Sequence, residues 1–159
     1  MKLTILCVGK LKEGYFRDAA SEYIKRMQRY GKTEVVEAAD EMTDENASAA
    51  ENQKVLFTEG QRILQKIPKG AYVIALAIQG ESFDSPGMAE RIRTLGISGR
   101  SHLVFIIGGS LGLSGEVLAR ADERWSFSRL TFPHQLMRVI LLEQLYRSFR
   151  IINHEPYHK

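Results

Sequence analysis

The residues with the clearest potential for chemistry lie in the last third of the chain. A glycine-rich loop, Gly108 to Gly112, directly follows an apolar run from Leu103 to Ile107. A second segment, Phe127 to Phe132, follows a short strand pattern and precedes a long apolar helix pattern that begins at Pro133. The chain ends in a polar tail, His154 to Lys159. Two loops after strands, one apolar helix and one polar tail are together typical of a binding site.

Glycine-rich loops often bind nucleotides, but this one does not fit the common nucleotide fingerprints. The residues from Gly108 to Gly112 do not match the G-x-G-x-x-G dinucleotide pattern, and Asp122 and Glu123 follow too soon to bond a ribose. The segment Val8-Gly9-Lys10-Leu11 lacks the first glycine and the Ser or Thr of a P-loop. No spacing of His and carboxylates suggests zinc, so no metal is expected. A dehydrogenase or an NTPase is therefore disfavoured, and a plain strand-to-helix turn remains an alternative for the loop.

Strand patterns and helix patterns alternate along the chain. These elements would position the segments described above. Five strand patterns cover residues 3–8, 33–38, 72–78, 102–107 and 124–127. Helix patterns follow them at residues 16–27, 47–65, 85–95, 114–121 and 133–151, with Ser85 and Ser114 as predicted caps. Several strands are continuously apolar, which predicts an α/β fold: a mostly parallel sheet with helices on both faces, in one domain of residues 1–159. Ligands of such sheets lie outside the carboxyl ends of the strands, where segments 76–80, 108–112 and 127–132 should meet.

The composition is that of an ordinary globular protein, with 44% hydrophobic and 26% charged residues among 159. The single cysteine, Cys7, lies in an apolar run, so a disulfide framework or a cysteine-based metal cluster is excluded. The apolar start of the chain is too short for a signal peptide. No apolar run approaches the roughly 20 residues that span a bilayer. We therefore expect a cytoplasmic protein without a membrane partner.

Charge is distributed unevenly, although the net charge is only +3. Basic residues dominate between Lys10 and Lys32, acidic residues between Glu34 and Glu59, and basic residues again toward the C-terminus. Segregated basic surface is compatible with a nucleic-acid partner. A solvated helix face explains the first basic cluster equally well.

The helix pattern that begins at Pro133 is apolar on almost all sides. A helix of this kind must be buried on more than one side. One side can pack on the sheet and another on a second copy of the chain, which predicts a homodimer. A central core helix in a monomer is the alternative.

Several separated segments of the chain resemble one protein family. They are Gly9 to Lys12, Glu59-Gly60, Ile107 to Leu113, Ser126 to Arg138, Glu143 to Arg147 and Pro156 to Lys159. In these segments the chain resembles the ribosomal large-subunit pseudouridine N3-methyltransferases, a family within the SPOUT superfamily of knotted methyltransferases. The resemblance covers nearly the whole chain and is weak only between Asp40 and Thr58. Ser148, where alanine is expected in the family, is a minor departure.

The resemblance implies a fold and a reaction. It implies an α/β domain whose C-terminal part forms a trefoil knot, which general rules of chain connection would not predict. It also implies a homodimer, S-adenosyl-L-methionine as methyl donor and, as acceptor, N3 of the pseudouridine conventionally numbered 1915 in the 23S rRNA of assembled ribosomes. By motif position, the cofactor contacts fall on Leu76, Gly108, Phe127, Ser128, Arg129, Leu130, Thr131 and Phe132. These residues belong to the three segments that the strand pattern places at one edge of the sheet.

Methyl transfer to N3 of pseudouridine also requires the loss of the N3 proton, and a general base typically contributes about 10²–10⁴-fold to such a step. We hypothesise that His158 or its neighbourhood in the tail assists this step and that Tyr157 shapes the nucleotide pocket. Arg138 is a candidate for stabilising the emerging charge or binding a phosphate. Structural alternatives are that Arg138 pairs with Glu143 or a backbone carbonyl, that His134 caps or packs, and that the tail is disordered.

Six basic residues are the candidate RNA contacts: Lys10, Lys12, Arg17, Arg147, Arg150 and Lys159. Contacts with phosphate predict a salt-dependent affinity, and the target base should be unstacked and recognised by its shape and edges. The sequence leaves two other functions open: a non-catalytic ribosome- or RNA-binding α/β module, and a small-molecule enzyme that uses another adenine cofactor. Binding of S-adenosylmethionine would separate the methyltransferase from both.

Overall fold

A computed structural model describes all 159 residues, Met1 to Lys159, and its alternating strands and helices confirm the predicted α/β fold. The strands are β1 (Lys2–Val8), β2 (Lys32–Ala38), β3 (Tyr72–Ser82), β4 (His102–Ile107) and β5 (Glu123–Ser126). The helices are α1 (Gly14–Met27), α2 (Ala49–Lys66), α3 (Ser85–Ile97), α4 (Gly115–Arg120) and α5 (His134–Ile152).

The five strands form one parallel sheet in the order β2-β1-β4-β3-β5. Central parallel strands are buried on both faces and need nearly continuous apolar sequences. β1 and β4 meet this requirement, because every residue from Leu3 to Val8 and from Leu103 to Ile107 is buried. Cys7 pairs with Ile107 at the carboxyl ends of these two strands. The loops that follow β1 and β4 therefore begin side by side at one edge of the sheet.

Helices cover both faces of this sheet, as predicted. On one face, α1, α3 and α5 pack around a core of 18 buried residues that includes Phe105 and Trp125. On the other face, α2 and α4 pack around a core of nine that includes Ile106 and Val117. Successive side chains of a strand point to opposite faces, so neighbouring residues of β4 enter different cores.

Strand β3 corrects one prediction from the sequence. A loop was expected at residues 76–80, but β3 continues to Ser82. Its pairing with β5 skips from Leu76 to Glu81, and both residues pair with Trp125, so the ladder has a bulge-like irregularity of four residues. Pairing with β5 beyond this irregularity keeps the segment in the sheet, and no local pattern signals such a long-range pairing. An irregularity of this kind changes the direction of the neighbouring side chains. Leu76 is one of these neighbours.

The start of α3 corrects a second prediction. Asp84, and not Ser85, is the cap, because its carboxylate accepts a hydrogen bond from the Gly87 N–H at 2.7 Å. Ser85 and Pro86 both lie inside the first turn, where backbone N–H groups lack helical partners and proline costs nothing. The Ser85 hydroxyl instead donates to Gln144 of α5 at 2.9 Å. The pair ties α3 to α5.

Helix α5 is apolar on nearly all sides, yet the single chain covers it incompletely. Leu141 and Leu145 are fully buried, whereas Leu136, Val139 and Ile140 are only partly buried. An apolar face is thus available for the predicted homodimer, which stays a prediction. None of the five helices combines the length and the apolarity that crossing a bilayer requires.

Candidate functional site

A cavity of about 650 Å³ opens at the carboxyl edge of β3, β4 and β5, beside the start of α5. Ten of its 18 lining residues are hydrophobic. Seven of the eight predicted cofactor contacts are among them: Leu76, Gly108, Phe127, Ser128, Leu130, Thr131 and Phe132. The eighth, Arg129, is exposed and does not line the cavity. The three segments that the sequence placed at one edge do meet, and their role in binding remains a prediction.

The inner wall of the cavity is apolar and rests on the larger core. Leu76, Phe127 and Met137 are partly buried and pack against that core. Trp125 also lines the cavity although it is fully buried, and its indole N–H donates to the Glu123 carboxylate at 2.7 Å. The partner satisfies the single polar group of the indole, so the ring is fixed in position. This wall is suited to a flat apolar group such as an aromatic base.

The glycine loop lines another side of the cavity with backbone atoms. Gly112 donates its N–H to the carbonyl oxygen of Gly109 at 3.1 Å, and its φ of +84° is the left-handed conformation that glycine tolerates. A Cβ atom on Gly108 would lie 2.4 Å from the Gly112 carbonyl oxygen. No side chain fits there. The glycines therefore bring the main chain to the cavity, beside Ser110 and Leu111 of the same loop.

Helix α2 supports the glycine loop from outside the cavity. Glu59 is only 5% exposed and accepts a hydrogen bond from the Glu41 N–H at 3.0 Å. Its carboxylate oxygen lies 3.3 Å from the place of a Cβ atom on Gly109. A Cβ atom on the next residue, Gly60, would lie 2.3 Å from the Ser114 hydroxyl oxygen. Burial raises the pKa of Glu59. Both residues of the Glu59-Gly60 motif thus hold the elements around the loop together.

The segment 127–132 forms the outer side of the cavity. The Ser126 hydroxyl donates to the carbonyl oxygen of Ser128 at 3.2 Å, and the Ser128 hydroxyl accepts from the Leu130 N–H at 2.9 Å. These bonds fold the segment into a compact turn. Leu130 is 71% exposed at the cavity although it is a large apolar residue. Such a side chain is available to cover a bound ligand.

Sequence reasoning missed part of the cavity lining, above all His134 and Met137 of α5. Their spacing of three residues places both on one helix face, which is the signal that could have found them. Burial and, next, the charge of Arg138 lower the pKa of His134. Its imidazole is therefore neutral at pH 7. His134 was expected to cap the helix or to pack. Its ring also borders the cavity, where it can contact a ligand.

Arg138 joins the cavity to the rest of the sheet without lining it. The residue is 2% exposed, and its guanidinium donates to Glu37 at 2.7 Å and to the carbonyl oxygen of Gly9 at 3.0 Å. The expected pairing with Glu143 or a backbone carbonyl is confirmed for the carbonyl, and Glu143 instead pairs with Arg147. Glu143 lies five positions after Arg138, so the two side chains leave the helix on different faces. A part in stabilising charge on the substrate stays a prediction.

The C-terminal tail is ordered, so the disorder considered for it is wrong. His154 adopts a positive φ of 55°, which turns the chain back along α5. Glu155 then accepts hydrogen bonds from Arg29 at 3.0 Å and from Tyr30 and Arg150. Several charge-assisted bonds of this kind outweigh the chain entropy that usually disorders a terminus. The tail is anchored to α5 and to the turn that follows α1.

Tyr157 and His158 lie against the middle of α5. The Tyr157 hydroxyl donates to Glu143 at 3.0 Å, and the Arg147 guanidinium lies 4.7 Å from the centre of the Tyr157 ring. Arg147 also donates to Glu143 at 2.6 Å and lies 3.3 Å from Nδ1 of His158. Burial and hydrogen bonding raise the pKa of Tyr157. Its hydroxyl therefore stays protonated and acts as a donor at neutral pH.

The tail does not reach the cavity of its own chain. Neither Tyr157 nor His158 lines that cavity. His134 borders the cavity at the first turn of α5, and Glu143, the partner of Tyr157, lies nine residues later, roughly 13 Å along the helix. The structure thus separates the predicted catalytic tail from the predicted cofactor contacts within one chain. Their cooperation in catalysis stays a prediction that requires a movement or a second copy.

The six candidate RNA contacts differ in their exposure and in whether their charge is already paired within the protein. Lys10, Lys12 and Lys159 are exposed and form no ion pair, whereas Arg17 is exposed but donates to two carbonyl oxygens of the Leu11-Lys12 segment. Arg147 and Arg150 are paired with Glu143 and Glu155. The lysines are therefore more available to an external phosphate than the two arginines of α5. No group of three His, Cys, Asp or Glu side chains in the chain is arranged to hold a metal ion.

Comparison with known proteins gives a consistent picture over the full length of the chain. A family model described as predicted SPOUT methyltransferase matches residues 1–158. A protein of Bifidobacterium animalis subsp. lactis, named ribosomal RNA large subunit methyltransferase H, is 56% identical over 159 residues, which is all of both chains. The match therefore extends over the glycine loop, the 127–132 segment and nearly all of the tail.

Two solved structures share the fold at low sequence identity. A probable methyltransferase from Bordetella pertussis Tohama I has a TM-score of 0.58 and 15% identity, covering 92% of this chain and 95% of the other. A putative methyltransferase from Legionella pneumophila, solved with the bound cofactor SAM, has a TM-score of 0.50 and 8% identity, covering 94% and 66%. At these identities the likeness concerns the fold alone.

Proposed function

Because the chain belongs to the SPOUT methyltransferase family, we propose that it transfers a methyl group from S-adenosyl-L-methionine to large-subunit ribosomal RNA. The 56% identity to a ribosomal RNA large subunit methyltransferase H over the full length of both chains supports this reaction. The finer proposal, that the acceptor is N3 of pseudouridine 1915 in the 23S rRNA of assembled ribosomes, rests on the resemblance of the motifs. Action on ribosomes would place the protein in the cytoplasm.

The single observation that carries the proposal is the convergence of seven predicted cofactor contacts on one cavity. Its volume of about 650 Å³ falls within the range of roughly 300–1,000 Å³ that is usual for small-molecule sites. The apolar wall around Leu76 and Phe127 suits an adenine ring. The main-chain groups from Gly108 to Gly112 suit the polar ribose and amino-acid parts of the donor. These residues fit S-adenosylmethionine.

The protein would promote methyl transfer by holding the methyl donor and the acceptor nitrogen in the correct relative position. Bound S-adenosylmethionine supplies a methyl group activated by its positively charged sulfur, so the acceptor nitrogen must be held in line with it. Well-oriented reactants gain roughly 7–11 kcal/mol from such positioning. The turn locked between Gly108 and Gly112, the turn around Ser128 and the fixed ring of Trp125 provide rigid surfaces for this purpose.

The N3 proton of the acceptor must leave, and we assign its acceptance or stabilisation to the tail around His158 and Tyr157. The cavity borders the first turn of α5, while the tail lies toward the other end of this helix. Antiparallel pairing of two copies through the partly covered face of α5 would bring the tail of one to the cavity of the other. This arrangement gives the proposed homodimer a catalytic purpose. Arg138, being buried, would then orient the site instead of touching the RNA.

Calorimetric titration with S-adenosylmethionine tests the proposed function first. We expect one site per chain with a dissociation constant in the low micromolar range. A Gly108→Ala variant, whose new Cβ atom would meet the Gly112 carbonyl oxygen at 2.4 Å, should lose this heat. A Gly115→Ala variant is the matched control, because nothing lies within 4 Å of its Cβ position. Absence of heat with the wild-type protein would favour a non-catalytic RNA-binding module.

A further inference from the structure

A second cavity of about 630 Å³ lies at the same edge of the sheet, where β1 and β2 end. Only three of its 11 lining residues are hydrophobic, and none is aromatic. Its basic residues are Lys10, Lys12, Arg62 and Lys66. We call this cavity the basic pocket. Its polar character distinguishes it from the apolar cavity beside it.

The carboxylates around the basic pocket are largely neutralised by arginines. Glu37 accepts from the buried Arg138 at 2.7 Å. Arg62 lies 2.7 Å from Glu41 and also donates to the carbonyl oxygen of Ala39 at 3.1 Å. Arg62 and Arg138 are thus committed to holding the ends of β1 and β2. Neither is free for an external anion.

The lysines of the basic pocket have no such partners. Lys10, Lys12 and Lys66 are exposed and form no ion pair. The one carboxylate of the lining without an ion-pair partner is Asp40. Three free ammonium groups against one free carboxylate leave the pocket positive. An ammonium group is a strong point-charge partner for phosphate.

The loop that carries two of these lysines is fixed by its surroundings. Gly9 has a positive φ of 80°, donates its N–H to Ala38 at 2.8 Å and accepts from Arg138 at 3.0 Å. The Lys12 N–H donates to the Gln135 side chain of α5 at 3.2 Å. The loop is thus tied to β2 and to α5. Lys10 and Lys12 are presented from a preorganised backbone, which lowers the entropic cost of binding.

The basic pocket and the first cavity are neighbours. A Cβ atom on Gly109, which lines the first cavity, would lie 3.2 Å from a methyl group of Val8 at the end of β1. Adjacent strands are about 4.8 Å apart. His134 borders the first cavity, and its protonation responds mainly to burial and Arg138 but also to the charges of Asp40 and Lys12 in the basic pocket. A strand of RNA whose target base lies beside the methyl donor of the first cavity would pass the basic pocket.

We propose that the basic pocket binds a phosphodiester of the RNA strand next to the target nucleotide. The assignment rests on the proposed function, since it takes RNA as the substrate. Phosphate is favoured over a base as the bound group because the lining offers lysines and no aromatic ring for stacking. The pocket would set the register of the strand and so bring the target base next to the methyl donor in the first cavity.

The test compares two double variants with the same change in charge. Lys10→Gln/Lys12→Gln removes two lysines of the pocket. Lys25→Gln/Lys69→Gln removes two exposed lysines that form no ion pair, line neither cavity and lie toward the amino edge of the sheet. Binding to ribosomes that lack the methyl group is measured over a range of KCl concentrations. We expect the pocket variant to bind at least tenfold more weakly with a salt slope smaller by about 2.

Two controls separate the possible failures. Both variants should retain wild-type affinity for S-adenosylmethionine, and the Lys25/Lys69 variant should retain the wild-type salt slope. Equal slopes for both variants and the wild type would overturn the assignment of the pocket, even if the wild type methylates ribosomes. If the wild type fails to methylate, the proposed function fails, and the slopes still decide on the pocket.

The source of the phosphate is tested by competition. A short single-stranded oligoribonucleotide should displace the wild-type protein from ribosomes more effectively than the Lys10/Lys12 variant. Inorganic phosphate at the same ionic strength should not displace the wild-type protein from ribosomes. Displacement by phosphate as effective as by the oligoribonucleotide would contradict an RNA site and indicate a site for the free anion.

Discussion

The buried guanidinium of Arg138 donates to the carbonyl oxygen of Gly9 at 3.0 Å, across 129 residues of sequence. This bond, together with the pair to Glu37 at 2.7 Å, fastens the first turns of α5 to the ends of β1 and β2. The same turns border the proposed cofactor cavity, and the Gly9 loop borders the basic pocket. One buried side chain therefore links the two parts of the proposed site.

Replacing Arg138 by methionine should destabilise the fold. Loss of the guanidinium leaves Glu37 and the Gly9 carbonyl oxygen without their partner, and breaking a buried pair costs up to about 3–5 kcal/mol. Because Glu37 is 34% exposed, we expect a smaller loss, about 2 kcal/mol, in the free energy of unfolding by urea. Arg17→Met is the control, since Arg17 is exposed and donates only to two carbonyl oxygens. Equal losses for both variants would show that the Arg138 bonds carry little stability.

Gly108→Ala should abolish the binding of S-adenosylmethionine without unfolding the protein. The new Cβ atom at 2.4 Å from the Gly112 carbonyl oxygen must displace the loop that lines the cavity. We expect affinity to fall by at least 100-fold in calorimetry, while Gly115→Ala binds like the wild type. Retention of wild-type affinity by the Gly108 variant would move the cofactor site elsewhere.

Removal of Tyr157 to Lys159 should reduce methyl transfer by at least about 10²-fold, the lower end of what general-base help contributes. The cofactor affinity should change far less, because none of these residues lines the cavity of its own chain. Tyr157→Phe is the finer variant, as it keeps the ring against Arg147 and loses the hydroxyl bond to Glu143. Methylation by the truncated protein at the wild-type rate would exclude a catalytic tail.

Several elements of this fold follow from local sequence, and the failures have specific physical causes. The runs Leu3 to Val8 and Leu103 to Ile107 predicted the buried central strands, since only apolar residues satisfy both faces of a parallel sheet. The loop expected after Leu76 is an irregular part of β3, because pairing with β5 is a long-range property. Arg138 was expected to pair with Glu143 or a backbone carbonyl; the carbonyl is that of Gly9, just after β1, and the carboxylate is Glu37 of β2, 101 residues away in sequence.

The candidate site was predictable to a similar degree. Strand ends indicated which segments would meet, and the resemblance to a known family indicated which residues to name within them. The basic pocket was not foreseen as a cavity, because its lysines come from the Gly9 loop and from α2, about 50 residues apart. Likewise, the separation of the tail from the cavity depends on where His154 turns the chain. Distances between elements are absent from any local pattern.

Stability should depend on pH through Glu59. Burial raises the pKa of Glu59, so the folded protein binds this proton more tightly than the unfolded chain. The resulting stabilisation is present at acidic pH and is lost as the pH rises through the raised pKa of the folded state. Glu59→Gln does not titrate, so its free energy of unfolding relative to wild type should increase from pH 4 to pH 7. A pH-independent difference in urea unfolding would show that Glu59 does not titrate within this range.

Methyl incorporation into ribosomes tests the central claim most directly. Purified protein would be incubated with labelled S-adenosylmethionine and either ribosomes lacking the modification or free 23S rRNA, and the modified nucleotide would be mapped. We predict close to one methyl group per ribosome, on N3 of pseudouridine 1915, and little on free rRNA. No incorporation, or incorporation at another nucleotide, would contradict the proposed function.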